Sequence, residues 1–298
     1  MSERCAVVIC TRNRPAMLGE ALDATIPTLR AGDELLVVDS ASSTDEPRQV
    51  AVRGAVRVVR AERKGLSRAR NLGVAQTTAE IVVFTDDDCR PQAGWLDVIE
   101  AAFDAPDIGF VIGRVRADVD DPYLPFDAKP RPARVFEGIT DPIDIGHGAC
   151  MAFRRAAYVA YGGADDRLGA GSRLLSAEDH DLFLRMLVHG WKGKYEPDAV
   201  VLHRDWRTHR EVVLYCWGVG LGTGAMVGKM TRVTGLKATR PLLARRFGPD
   251  GFGELRRGLR RRSRSMVAAS TLKLTGTLTG FVLGLVLRRD GERFRRRV

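Results

Sequence analysis

The feature that most constrains this chain is a set of short apolar runs: CAVVIC (5–10), ELLVVDS (34–40), AVRVVR (55–60) and EIVVFTDDD (80–88). Within them VVI, LLVV and IVVF are continuous rather than alternating. A strand with one face in water alternates polar and apolar residues, so an unbroken run marks a strand covered on both faces. Helical patterns over Pro15–Leu29 and Ser67–Ala75 separate the runs. Strands alternating with helices predict an α/β, doubly wound, mostly parallel sheet flanked by helices.

Further on, a helix over Gly94–Asp104 and a strand over Gly109–Val115 precede a Pro- and Asp-rich stretch, Asp118–Pro142, that reads as a long loop or lid. Ser176–His189 reads as a helix with Leu182, Phe183, Met186 and Leu187 on one stripe and Gly190 ending it, and AVVLH (199–203) as a strand.

Charge is distributed unevenly. The net +10 comes from 47 Lys and Arg against 37 Asp and Glu. Residues 240–298 hold 16 basic and 4 acidic side chains, net +12, and the preceding residues hold 31 and 33, net −2. This distribution argues against a nucleic-acid groove across the main domain, and a basic terminal anchor or arm is expected. Five cysteines without a C-x-x-C pair suggest neither a disulfide framework nor a zinc ribbon, so a reducing compartment is expected. The start, MSERCAVVICTRNRP, has no apolar signal region.

Met266–Leu287 is apolar except for Lys273, with Gly276, Gly280 and Gly284 at four-residue spacing. Its length permits a membrane span. Its Ser, Thr and Gly content and Arg-rich flanks rank an interfacial or re-entrant helix above a full span, with a plainly packed helix as the other reading. The run GVGLGTGAMVGKM (218–230) resembles a phosphate loop only superficially. It follows a helical rather than a strand pattern, and close helix packing accounts for its glycines.

The chemistry concentrates in Asp86-Asp87-Asp88, directly after IVVF. Extended-chain alternation would put Asp86 and Asp88 on one side and Asp87 on the other. Three adjacent carboxylates at a strand end repel one another unless a cation sits between them, and Mg²⁺ or Mn²⁺ is the natural candidate. The other reading is a solvated turn before a helix begun by Pro91. Asp39 ends the second strand, where it could bind a base or ribose or simply form a turn. Ser67 is a candidate cap for a helix whose first turns carry Arg68 and Arg70 toward a phosphate.

VVICTRNRP, VVDSASSTD, GLSRARNLG, VVFTDDD, GHGACMAFRR and SAEDHDLFLRMLVHGWKGKYEPDAVVLH stand in an order and spacing that resemble family 2 glycosyltransferases, inverting enzymes of the GT-A fold. The resemblance covers about residues 4–220. It implies that Thr11, Arg12 and Asp39 line a nucleotide pocket, with Arg68, Arg70 and Asn71 also on the donor side. Asp86 would face ribose and metal, Asp88 and His203 would bind Mg²⁺ or Mn²⁺, and Gly146, His147 and Gly148 would lie in the acceptor region. Asp179 would be the catalytic base with Glu178 beside it. From the residues alone, Ser176-x-x-Asp179 equally fits a helix capping box. Two departures stand out: Asp39-Ser40-Ala41-Ser42 lacks the second acid of the family's D-D-G-S, and His147 replaces a smaller or amide residue.

The resemblance divides the chain into a nucleotide-sugar-binding half (1–110), an acceptor-binding catalytic half (111–220) and a basic, partly apolar helical extension (221–298). It implies transfer from a nucleoside diphosphate sugar, UDP-linked by family habit, to a hydroxyl acceptor. The basic extension suggests a cytoplasmic enzyme peripheral on the inner face of an anionic membrane, meeting a lipid-linked or envelope acceptor. A nucleotide-binding inactive homologue and a nucleotidyltransferase are the competing readings.

Overall fold

The four apolar runs become strands β1 (Cys5–Thr11), β2 (Glu34–Asp39), β3 (Arg57–Arg60) and β4 (Ile81–Asp86), paired in parallel in the order β3-β2-β1-β4. Every residue of β1 is buried, as a strand covered on both faces requires. The computed structural model describes residues 5–54, 56–118, 131–204, 206–291 and 293–294. These form two compact units, one reaching Ala164 and including Leu182–Asp205, the other comprising Asp165–Asp181 and the chain from Trp206.

In the first unit, β4 pairs antiparallel with β8 (Cys150–Arg154), which pairs antiparallel with β6 (Ile108–Ala117). β6 lies parallel to β9 (Lys192–His203), and β9 takes two short antiparallel partners, β5 (Cys89–Pro91) and β7 (Arg134–Phe136). Helices α1 (Pro15–Thr25), α2 (Glu46–Arg53), α3 (Leu66–Ala75), α4 (Trp95–Ala102), α5 (Pro142–Ile145) and α6 (Arg155–Ala160) connect them. Aliphatic side chains of β1, β2 and β4 fill one core cluster with Leu18, Trp95 and Ile99, and the other face packs Phe84, Phe110, Phe153 and Phe183.

Two differences from expectation have local causes. β9 begins at Lys192, seven residues earlier than the AVVLH run, because Pro197 sits in a bulge: Glu196 pairs with Gly113, and pairing resumes at Val200 with Arg114. A proline in a strand is tolerated at such a bulge. The expected loop Asp118–Pro142 contains β7, while its residues 119–130 lie outside the described set.

Helix α7 (Glu178–Val188) starts in the second unit and runs into the first. The second unit also holds helices α8 (His209–Thr234), α9 (Leu236–Phe247), α10 (Glu254–Arg260) and α11 (Arg264–Val286) and a short antiparallel pair, β10 (Arg289–Asp290) with β11 (Arg293–Phe294). α8 opens with a reciprocal cap in which the Thr208 amide donates to Glu211 at 2.8 Å and the Glu211 amide to the Thr208 hydroxyl at 3.4 Å. Gly220, Gly224 and Gly228 of α8 lie against backbone of α11 around Lys273, Thr277 and Phe281 in ascending order, so the two helices run in the same direction. Gly276, Gly280 and Gly284 complete the seam. The plainly packed reading of this segment therefore accounts for its glycine stripe.

Candidate active site

Parallel pairing brings the carboxyl ends of β1, β2 and β4 to one sheet edge, with Thr11 beside Asp39 and Cys10 beside Asp86. This is where open α/β sheets bind ligands. The acidic triplet is held there by the protein's own cations. β4 ends at Asp86, so strand alternation stops and Asp87 and Asp88 form a turn. Arg14 reaches both, at 2.9 Å from Asp87 and 3.3 Å from Asp88, while Arg70 pairs with Asp86 at 3.1 Å. The alternation argument thus fails beyond Asp86, and mutual repulsion does not by itself demand a metal. The following Pro91 closes β5 instead of opening a helix, and α4 begins only at Trp95 after a left-handed Gly94.

Asp87 is buried and accepts from the Thr11 hydroxyl at 2.7 Å. Burial pushes its carboxyl up to about 6 against the pull of Arg14. Asp39, fully buried, accepts from Arg60 at 2.6 Å and from the Ser42 amide at 2.9 Å. Arg12 is exposed.

Asp88 lies beside a second convergence. β5 and β9 put Cys89 across from His203, and His203 Nε2 stands 3.5 Å from Asp88 Oδ1. Ligand atoms of Asp88, Cys89 and His203 all lie within 4.8 Å of one another. Burial raises the Cys89 thiol well above its ordinary value. Beside it, the Asp88 carboxylate supplies the oxygen donor that Mg²⁺ or Mn²⁺ takes, and His203 an imidazole nitrogen. Asp86 turns to Arg70 and is not part of this cluster.

The 146–148 loop adjoins it, the His147 ring centred 6.3 Å from that of His203. The His147 Nδ1 accepts from the Ala149 amide at 3.3 Å, and the Gly148 carbonyl accepts from Arg70 at 3.3 Å.

On α3 the polar side chains of Arg68, Arg70 and Asn71 have partners within the protein. The helix starts at Leu66 with Gly65 (φ 141°) in the cap position, so Ser67 lies in the first turn and is not the cap. Arg70 is buried over the Phe84 ring, and Arg68 donates to the Lys64 carbonyl at 3.0 Å. Asn71 ties the turn after α6: it donates to the Ala164 carbonyl and accepts from the Tyr158 hydroxyl and the Ala164 amide, all within 2.9 Å.

Residues 6–162 match the profile of the family described as "Glycosyl transferase family 2". The chain belongs to that family. Two curated relatives, each called "Pre-mycofactocin glycosyltransferase", from two strains of Mycobacterium tuberculosis, are 29% identical to this chain in an alignment of 164 residues that covers 48% of it. The match covers 32% of each relative, so the chain spans about a third of their length. Among solved structures, a mannosyltransferase from Pyrobaculum calidifontis in complex with GDP-Man and Mn²⁺ superposes with a TM-score of 0.62 at 18% identity, over 96% of this chain and 88% of that one. Residues 1–349 of S. aureus TarS superpose at 0.61 and 14% identity, over 94% and 90%. These similarities establish a GT-A fold.

In the second unit, Glu178 is buried and Asp179 half-buried at the start of α7. The capping-box spacing does not match the observed helix: α7 starts at Glu178, so Ala177 (φ 67°) and not Ser176 takes the cap position, and the Ser176 hydroxyl donates to the Gly218 carbonyl at 2.9 Å. Asp179 instead accepts from the His180 amide at 2.7 Å. Leu175 (φ 65°) and Ala177 (φ 67°) both take left-handed backbone just before this pair, a strained conformation of the kind that clusters at functional sites. Sequence reasoning passed over Arg14 and Arg60. Their signal was charge balance, since each buried carboxylate near the sheet edge needed a cation.

Proposed function

We propose that this glycosyltransferase is a metal-dependent, inverting enzyme that moves a sugar from a nucleoside diphosphate donor to a hydroxyl acceptor. The observation that carries the reading is the meeting of Asp88, His203 and the 146–148 loop at the sheet edge where Thr11, Asp39 and Asp86 end their strands. Asp88 and His203 would hold Mg²⁺ or Mn²⁺, which when bound neutralises charge developing on the leaving diphosphate. Asp179 takes the proton of the acceptor hydroxyl as that oxygen attacks the anomeric carbon from the face opposite the diphosphate. One base suffices for this inversion, with no second carboxylate acting as leaving-group acid. Asp39 and Arg60 shape the base pocket; UDP is the expected carrier, and the GDP-Man of the P. calidifontis enzyme makes GDP the first competitor to compare.

The acceptor side extends to the membrane in this proposal. α8 and α11 are each long and apolar enough to cross a membrane by length and composition. They run in the same direction, so two spans would force residues 235–263, with nine basic and two acidic side chains, back through the bilayer. Binding at the surface fits better: α11 exposes Leu278, Val282 and Val286 at four-residue spacing, followed by Arg288 and Arg289. A lipid-linked or envelope acceptor on the cytoplasmic face is then within reach.

Thermal stabilisation by a panel of UDP- and GDP-sugars, with and without Mn²⁺, tests the donor half. Stabilisation by at least one donor that disappears with chelator is expected, together with nucleoside diphosphate release. Pyrophosphate release from a nucleoside triphosphate would replace this reading with nucleotidyl transfer. Sedimentation with phosphatidylserine vesicles tests the surface half, which falls if the protein stays in the supernatant.

A further inference from the structure

The second unit contains a fully buried ionic knot that the sheet-edge chemistry does not use. Lys229 Nζ, on α8, lies 2.7 Å from Asp165 Oδ2 and 2.6 Å from Asp181 Oδ1, and none of the three side chains is exposed. Asp165 also accepts from the Phe294 amide at 2.7 Å and the Arg167 amide at 3.1 Å, and the Phe294 ring faces the Lys229 ammonium at 4.9 Å. Asp181 stands in the first turn of α7, two residues beyond Asp179, with its amide donating to Ala177 at 3.0 Å.

α8 holds the segment leading into α7 along one face. Gly218 and Val219 present carbonyls to the Ser176 hydroxyl at 2.9 and 3.3 Å. Gly222 leaves room for backbone around Leu174 and Ser176, and two turns later Lys229 meets Asp181. Positions 218, 222 and 229 follow helical spacing, while 220, 224 and 228 carry α11 on another face. A buried ion pair is a poor way to gain stability, because desolvation offsets attraction; what it supplies at such a site is one defined geometry. Here that geometry belongs to the turn that carries Glu178 and Asp179, behind two left-handed residues whose strained backbone must be held from outside.

We infer that Lys229 is a positioning residue for sugar transfer: through Asp181 it fixes the first turn of α7, and the short strand β11 (Arg293–Phe294) closes the same knot through Phe294. The inference rests on the reading of Asp179 as the base. In Lys229→Met, calorimetric binding of UDP and GDP with Mn²⁺ should be unchanged while kcat falls by about 10²-fold, the scale expected of a group displaced by about 1 Å. Amide exchange over residues 178–182 should quicken without change in β1 and β4. Lys229→Met combined with Asp181→Asn removes one of the two carboxylates left without their cation, the other, Asp165, keeping the Phe294 and Arg167 amides; it should recover part of the thermal midpoint but not kcat, and it decides the matter alone if the single variant does not fold. Unchanged kcat in the single variant, or kcat recovering together with the midpoint in the double, overturns the inference. Asp179→Asn, run in parallel, separates the two readings. Its retained turnover would sink the base assignment and the inference with it, whereas its loss beside an unimpaired Lys229→Met would sink the positioning role alone.

Discussion

Each of the two units is stabilised internally by different physics. In the first, aliphatic strands and aromatic rings bury large side chains on both faces of a sheet, and water is excluded by surface area alone. In the second, glycines let two helices meet backbone to backbone, a buried lysine on another face of α8 holds two carboxylates, and Leu214, Tyr215, Leu236, Phe252, Leu259, Leu278, Val282 and Val286 remain exposed. A core built of side chains relaxes around a change of shape. A seam built of backbone has nothing that can rotate away, so the second unit should be the less forgiving of substitution.

The proposed chemistry divides the same way, which gives the largest expected effect. Asp179→Asn, in the second unit, should lower turnover by ~10²–10⁴-fold, the range for losing a general base, and leave Mn²⁺-dependent nucleotide binding intact. Asp88→Asn, in the first unit, should weaken that binding. Single-turnover kinetics beside calorimetry check the split, and a variant that loses both equally in either unit breaks it.

Acid should separate the units next. Burial alone would raise the Asp165 carboxyl, but the Lys229 ammonium and the amides of Phe294 and Arg167 outweigh it and hold it below the usual carboxylate range. A carboxylate depressed in the folded state contributes stability above its unfolded pKa of about 3.9 and loses it as pH falls through the folded value. The second unit should therefore loosen below about pH 4, seen as faster amide exchange in α8 and α11. Asp165→Asn should flatten that part of the profile.

The first unit was legible because its strands declare themselves: CAVVIC, ELLVVD and IVVF are short, continuous, β-branched-rich runs, and all three form strands covered on both faces. Where reading stopped short, the deciding contact was distant in sequence. Arg14 reaches Asp87 across 73 positions, so neither strand alternation nor the search for a metal between the carboxylates could anticipate it. Pro197 hid the first half of β9, since a bulge depends on the partner strand. Ser176 fitted a capping box by spacing, and only the Gly218 carbonyl, 42 positions away, shows where its hydroxyl goes. The glycines of α8 announced close packing without naming a partner. Lys229 gave no signal, because a lone lysine in an apolar helix becomes informative only when Asp165 and Asp181 stand beside it.

The smallest effects give the sharpest contrast, because one substitution should change sign between the units. A Cβ at Gly280 would fall on the Leu221 carbonyl and within 2.8 Å of the Ala225 nitrogen, both backbone atoms of α8 that cannot move without parting the helices. Gly280→Ala should therefore destabilise by ~1–3 kcal/mol, the usual cost of overpacking. Gly19, inside α1 of the first unit, has ordinary backbone and only Val50 at 3.7 Å from the same added atom. There the methyl group meets van der Waals contact while the unfolded chain loses freedom, so Gly19→Ala should stabilise by ~0.4–1 kcal/mol. Urea unfolding monitored by amide exchange in each unit measures both. If Gly280→Ala proves neutral, the α8–α11 seam has slack, and backbone contact is not what distinguishes the second unit.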